Sequence, residues 1–175
     1  MKRLLQLSLV LLITAGLTTI ANAQTGSGSA DIKATATVDA SINVNQVQNL
    51  TFGSLAAGDT RDVQAGDADA GQFTVDGNSG NVTLEFSFAN NGELQETSGS
   101  GASMPIAFDG SDAAWGPDAT TQSESWDPTT AKSNVNVAGA TNGEIYVFIG
   151  GSITAASDQL AGTYEETITL TATHN

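Results

Sequence analysis

Asn81-Val82-Thr83-Leu84-Glu85-Phe86-Ser87-Phe88-Ala89 decides the fold class. Val82, Leu84, Phe86 and Phe88 alternate with Thr83, Glu85 and Ser87. A period of two sends successive side chains to opposite faces, which is the signature of a half-buried β-strand. Toward the C-terminus the same period returns. Tyr164, Ile168, Leu170 and Ala172 share one face, while Thr163, Glu165, Thr167, Thr169, Thr171 and Thr173 share the other. Glu166 falls on the apolar side, so it is expected near a sheet edge where its carboxylate reaches water. Toward the N-terminus, Ile32, Ala34, Ala36, Val38, Ala40, Ile42 and Val44 alternate with Lys33, Thr35, Thr37, Asp39, Ser41 and Asn43. That run predicts one long first strand.

Shorter strands are expected at Leu50 to Leu55, Gln72 to Val75, Met104 to Phe108, Ser133 to Val137, Ile145 to Ile149 and Ser152 to Ala155. Gly, Asn, Asp and Ser clusters such as Asp76-Gly77-Asn78-Ser79-Gly80 and Asn142-Gly143 separate them. Many short strands joined by Gly-rich turns predict an all-β protein, an antiparallel β-sandwich. Asp109 to Lys132, with both tryptophans and two of the prolines, reads as a long irregular segment.

The first 23 residues carry a different signal. Lys2 and Arg3 precede the apolar run Leu9 to Ile13, and Ala21-Asn22-Ala23 closes the segment, the layout of a cleaved secretory signal peptide. A membrane anchor is the competing reading, because Leu4 to Ala21 is mostly apolar. Gln6, Ser8, Thr14, Thr18 and Thr19 interrupt it, and Ala-Asn-Ala suits cleavage. The expected organisation is a signal peptide at 1–23, a flexible leader at 24–30 (QTGSGSA) and a single β-sandwich domain at 31–175. The protein is expected to be secreted, working outside the cell, at its surface or in the periplasm, with no stable membrane insertion after cleavage. The chain has no cysteine, which rules out disulfides, thiolate metal sites and a lipidated signal-peptide cysteine.

Removing residues 1–23 leaves Lys33, Arg61 and Lys132 against 19 acids, a formal charge of 3 − 19 = −16. A field of that sign repels nucleic acid and anionic membranes and argues against a nucleic-acid partner. It suits saline or Ca²⁺-containing surroundings, where screening shortens the repulsion.

Three pieces align with a known group. Leu50-Thr51-Phe52-Gly53-Ser54-Leu55 follows the first alternating run, Gly150-Gly151 precedes Ser152-Ile153-Thr154, and Gly162-Thr163-Tyr164 opens the last strand. With these pieces the chain from about Ala30 to Asn175 resembles a bacterial domain-of-unknown-function family of secreted, pilin-like β-sandwich proteins. It is more distantly similar to chaperone-usher fimbrial subunits and spore coat U-type proteins. The resemblance implies an immunoglobulin-like sandwich on a cell surface or in a fibre, with no catalytic residue to carry over. In this sequence Gly53 is expected to permit a bend or a close backbone approach. Gly162 is expected to turn the chain so that Tyr164 plugs the end of the core with its hydroxyl at the rim. Fimbrial subunits carry a disulfide and an apolar donor segment ahead of the first strand; here there is no cysteine, and QTGSGSA has no side chain to insert. Ile32 to Val38 reads as the domain's own first strand, and strand exchange requires it to leave the domain.

Few residues could carry chemistry. His174, one residue from the C-terminus, sits where a catalytic base is poorly held. Carboxylate pairs abound without a motif that selects one, so no glycosidase pair is assigned. Asp67-Ala68-Asp69-Ala70-Gly71 resembles the start of a Ca²⁺ loop, but the twelfth position is Asn78 where an EF-hand needs Glu. A looser Ca²⁺ site of Asp59, Asp62, Asp67 and Asp69 is a candidate, against the reading of an ordinary acidic turn. Trp115 and Trp126 are candidate ligand- or partner-binding residues, against the reading that both rings cover one end of the sandwich. The sequence thus reads as a non-enzymatic structural or fibre-forming surface protein. Its expected partner is itself, as a homopolymer, or another surface protein, by β-augmentation. The alternative is a carbohydrate- or ligand-binding module using Trp115 and Trp126.

Overall fold

The structure, a computed structural model, describes residues 29–78 and 80–175, with Thr141 described by its backbone alone. The expected signal peptide and most of the leader lie outside the described residues. The chain divides after Thr37 into two units. In the first, residues 29–37 form no strand or helix and are exposed, with Ile32 95% accessible.

The second unit, from Val38 onward, is all β apart from a single short 3₁₀ turn at Thr141–Gly143. Its strands are β1 Ile42–Gln48, β2 Thr60–Val63, β3 Gly71–Gly77, β4 Asn81–Phe88, β5 Glu93–Glu96, β6 Ser103–Ala107 and β7 Ala113–Gly116. They continue with β8 Glu124–Trp126, β9 Lys132–Asn136, β10 Glu144–Ile149, β11 Gly151–Thr154, β12 Tyr164–Glu165 and β13 Ile168–His174. Every pairing is antiparallel, in the orders β1-β3-β10-β7-β8, β12-β5-β6-β11-β2 and β13-β4-β9. The sheets pack face to face as a sandwich, as the alternation of apolar residues predicts.

The registers show why these residues make these strands. Ile168, Leu170 and Ala172 of β13 stand opposite Phe88, Phe86 and Leu84 of β4, so the apolar faces of both strands coincide and pack inward. Val75, Val82, Leu84, Val135, Ile145, Val147 and Ile149 are almost fully buried in the main core cluster. A second cluster of Leu94, Met104, Ile106, Ile153 and Ala155 fills the other end. The continuous run Ile145 to Ile149 is buried on both faces: Ile145, Val147 and Ile149 meet the main core, and Phe148 meets Ala65 and Ala114 behind the sheet. At Gly150 the chain passes from one sheet to the next, so close to the Val63 carbonyl that no side chain fits there.

Four sequence expectations need correction. The last alternating run breaks at Glu166–Thr167 into β12, which pairs with β5, and β13, which pairs with β4, so Tyr164 packs on the second cluster while Ile168, Leu170 and Ala172 pack on the main one. The alternating run at 32–44 becomes a strand only from Ile42; residues 29–41 have no ladder partner among the described residues, and Val38 is 81% accessible. Period two states that a segment can be a strand, and a strand also needs an edge to pair with. Leu50 to Leu55 is an irregular strap. Asp109 to Lys132 contains the β7–β8 hairpin, whose Ala-Ala-Trp-Gly and Glu-Ser-Trp are too short and too mixed to show a period.

Candidate functional site

β1 pairs with β3 along one side only, and β13 pairs with β4 along one side only. Their free sides approach each other without forming a ladder. A cleft of about 1250 Å³ lies there, walled by Val44, Gln46 and Gln48 of β1 and by Ile168 and Leu170 of β13. Its floor is the second core cluster, with Leu94, Met104, Ile106, Ile153 and Ala155 all reaching it. Phe52 and Leu55 of the strap form a further wall, packed half-buried on that same cluster. The sandwich is therefore open along one seam, where backbone groups of two strand edges border apolar side chains. Unpaired edges of this kind are templates for an added strand.

Hydrogen bonds tie down the chain at the ends of the seam. Glu166, the residue that breaks the alternation of the C-terminal run, lies between β12 and β13 and accepts hydrogen bonds from Asn90 N at 3.0 Å and from Thr167 N at 2.8 Å. It so ties the β12–β13 connection to the turn between β4 and β5. At the end of the cleft Tyr164 packs on the second cluster and donates its hydroxyl to the Leu160 carbonyl at 2.8 Å, while Gln159 Nε2 donates to the same hydroxyl at 2.8 Å. Tyr164 packs on the core with its hydroxyl at the rim, as expected, whereas Gly162 adopts no left-handed backbone and a Cβ there would only displace the Glu96 side chain. Glu96 accepts from Ser98 N, Ser98 Oγ and Ser100 N. These bonds pull its pKa down to about 2, those from Ser98 most strongly.

The other four edges carry features that disfavour pairing. β8 has only three residues and β12 two, β2 carries adjacent Arg61 and Asp62, and β9 is interrupted by Asn134 at φ 62°.

The residues singled out from sequence fall elsewhere. Asp59, Asp62, Asp67 and Asp69 are not gathered into a ligand set: among the described residues no group of three or more His, Cys, Asp or Glu side chains could hold a metal. Asp69 pairs with Arg61 at 3.1 Å, Asp67 accepts from Gln64 N at 3.0 Å, and Asp62 accepts from Gln64 Nε2. They organise an acidic turn. Trp126 is buried in the main core and stacks on Phe86, with ring centroids 6.0 Å apart. Trp115 packs half-buried against the same cluster. Both indole N–H groups are buried without an acceptor in hydrogen-bonding geometry, and neither ring lies on the cleft. Glu124, opposite Trp115, is held below the usual carboxylate range, chiefly by its bond to Lys132. His174 lies exposed in β13, its Nδ1 2.6 Å from the Asn175 carbonyl oxygen.

Sequence reasoning did not find the cleft. Of its lining, the sequence draws attention to Tyr164, as a plug for the core, and to the stretch Leu50 to Leu55 that holds Phe52 and Leu55. No protein-family model matches the chain, and no curated protein matches it.

Proposed function

We propose that this chain is a secreted, non-catalytic surface subunit that forms fibres by strand addition, the 32–38 segment of one copy entering the cleft of the next. One observation carries the reading: the chain pairs an open seam with an apolar floor, bordered by two free strand edges, with an alternating, strand-length segment that lies outside every strand. Ile32, Ala34, Ala36 and Val38 supply the inward face that such a seam needs, and the backbone between them supplies the ladder. Segment and acceptor belong to the same sequence, which favours a homopolymer. The basic start and Ala21-Asn22-Ala23 support export, and the resemblance to pilin-like proteins supports the fibre.

Electron microscopy of the exported chain tests this directly. Filaments are expected from the native protein, and a synthetic peptide of residues 30–40 added in excess is expected to block them. A protein that stays monomeric across salt and Ca²⁺ concentrations and ignores the peptide overturns the proposal.

A further inference from the structure

Resting on that reading, we infer that residues 52–57 are a strap that closes onto the donor segment once it is seated. The backbone N–H groups of the strap bond only at its ends, and between them the Phe52 and Leu55 side chains rest on the second cluster. Thr51 N donates to the Asp69 carbonyl at 2.9 Å and Gly58 N to the Ala155 carbonyl at 3.0 Å, whereas among the described residues no main-chain N–H from Phe52 to Ala57 donates to another backbone group. Gly53 at φ +71° and Gly58 at φ +88° stand in the left-handed region with open space where a Cβ would lie. The segment therefore has a hinge inside it and another at its end, and little backbone bonding to break when it moves.

Packing supplies the reason to move. The donor presents Ile32, Ala34, Ala36 and Val38 inward, and two of these four side chains are single methyl groups. So slender a face leaves part of the apolar floor of the cleft, Leu94, Met104, Ile106, Ile153 and Ala155, without a bulky neighbour. Covering that floor more closely removes apolar surface from water and improves its packing. Phe52 and Leu55 already lie at the wall on the Leu94–Met104 cluster, half-buried, on a segment whose main-chain N–H groups make no backbone bond. An inward shift of the strap brings them against Ala34 and Ala36 and completes the packing.

Hydrogen exchange on the unaltered protein and a disulfide trap test the closure together. Backbone amides of 52–57 are expected to exchange about tenfold or more slowly in filaments than in the monomer. The chain has no cysteine, so in Ala36→Cys/Leu55→Cys the introduced thiols are the only ones. Oxidised filaments of this variant are expected to run as a ladder of linked copies on a non-reducing gel. Filaments whose strap amides exchange at the monomer rate, with no ladder, overturn the closure and leave the fibre reading standing. If neither filaments nor capture of the 30–40 peptide is seen with the unaltered chain, both fall.

Discussion

Asp112 is 3% accessible, and its side chain accepts from Asp109 N at 2.6 Å. Burial raises its pKa, and repulsion from Asp109, Asp62 and Asp127 adds to the effect, while the Asp109 bond opposes it. A raised carboxyl pKa means that the charged form burdens the folded state, so its destabilising effect is present above that pKa and vanishes below it. Asp112→Asn keeps an acceptor for Asp109 and removes the charge. It is expected to raise the melting temperature at pH 7 by a few degrees, about 0.5–1.5 kcal/mol, and to give no gain at pH 3. Glu96 titrates in the opposite sense. Its pKa is lowered from 4.5 to about 2, so its contribution is present above 4.5 and is lost as pH falls through about 2. NMR titration of the Glu96 carboxyl should show this midpoint, with Ser98 and Ser100 amides exchanging faster below it. Trp126→Ala removes a ring stacked on Phe86 in the main core and is expected to cost about 3–5 kcal/mol in denaturant unfolding. The same ring was a candidate binding residue by sequence, because composition alone cannot say whether an aromatic in a polar stretch turns inward; the short β8 settles that at this position.

At the scale of elements, alternation was a dependable guide wherever the strand had an edge waiting for it. β4, β10 and β13 lie where their apolar spacing put them, since each pairs along most of its length. Residues 32–41 carry an equally regular alternation and no strand, and the difference resides in the partner and not in the segment. β2, β5, β7 and β8, with three or four residues each, were missed because a period of two needs more residues to be visible. The cleft was illegible for a related reason: it is built from what two strands do not pair with, which no single segment encodes. Two outcomes follow at this scale. Lys33 lies in the exposed segment and is expected to be cut by trypsin in the monomer and protected in filaments, as followed by mass spectrometry. Ile32→Asp places a charge on the inward face of the donor and is expected to abolish filaments while leaving the unfolding free energy of the monomer within about 0.5 kcal/mol of the parent, because position 32 is exposed in the monomer.

For the whole molecule, the charge of −16 expected after removal of residues 1–23 sets the conditions of association. Copies brought end to end repel one another, and the range of that repulsion falls from about 30 Å at 0.01 M salt to about 8 Å at 0.15 M. Filament growth followed by light scattering should accelerate over that interval, and a rate that ignores salt would show that charge does not limit the encounter. The open seam has one last consequence. Under the proposed strand addition the giving segment and the receiving cleft are different surfaces, so copies would join head to tail and the two ends of a linear assembly would differ. One end would keep a vacant cleft, the other an idle segment. Such an assembly has a direction in which it grows, and either a cap or a ring is needed to make it stop.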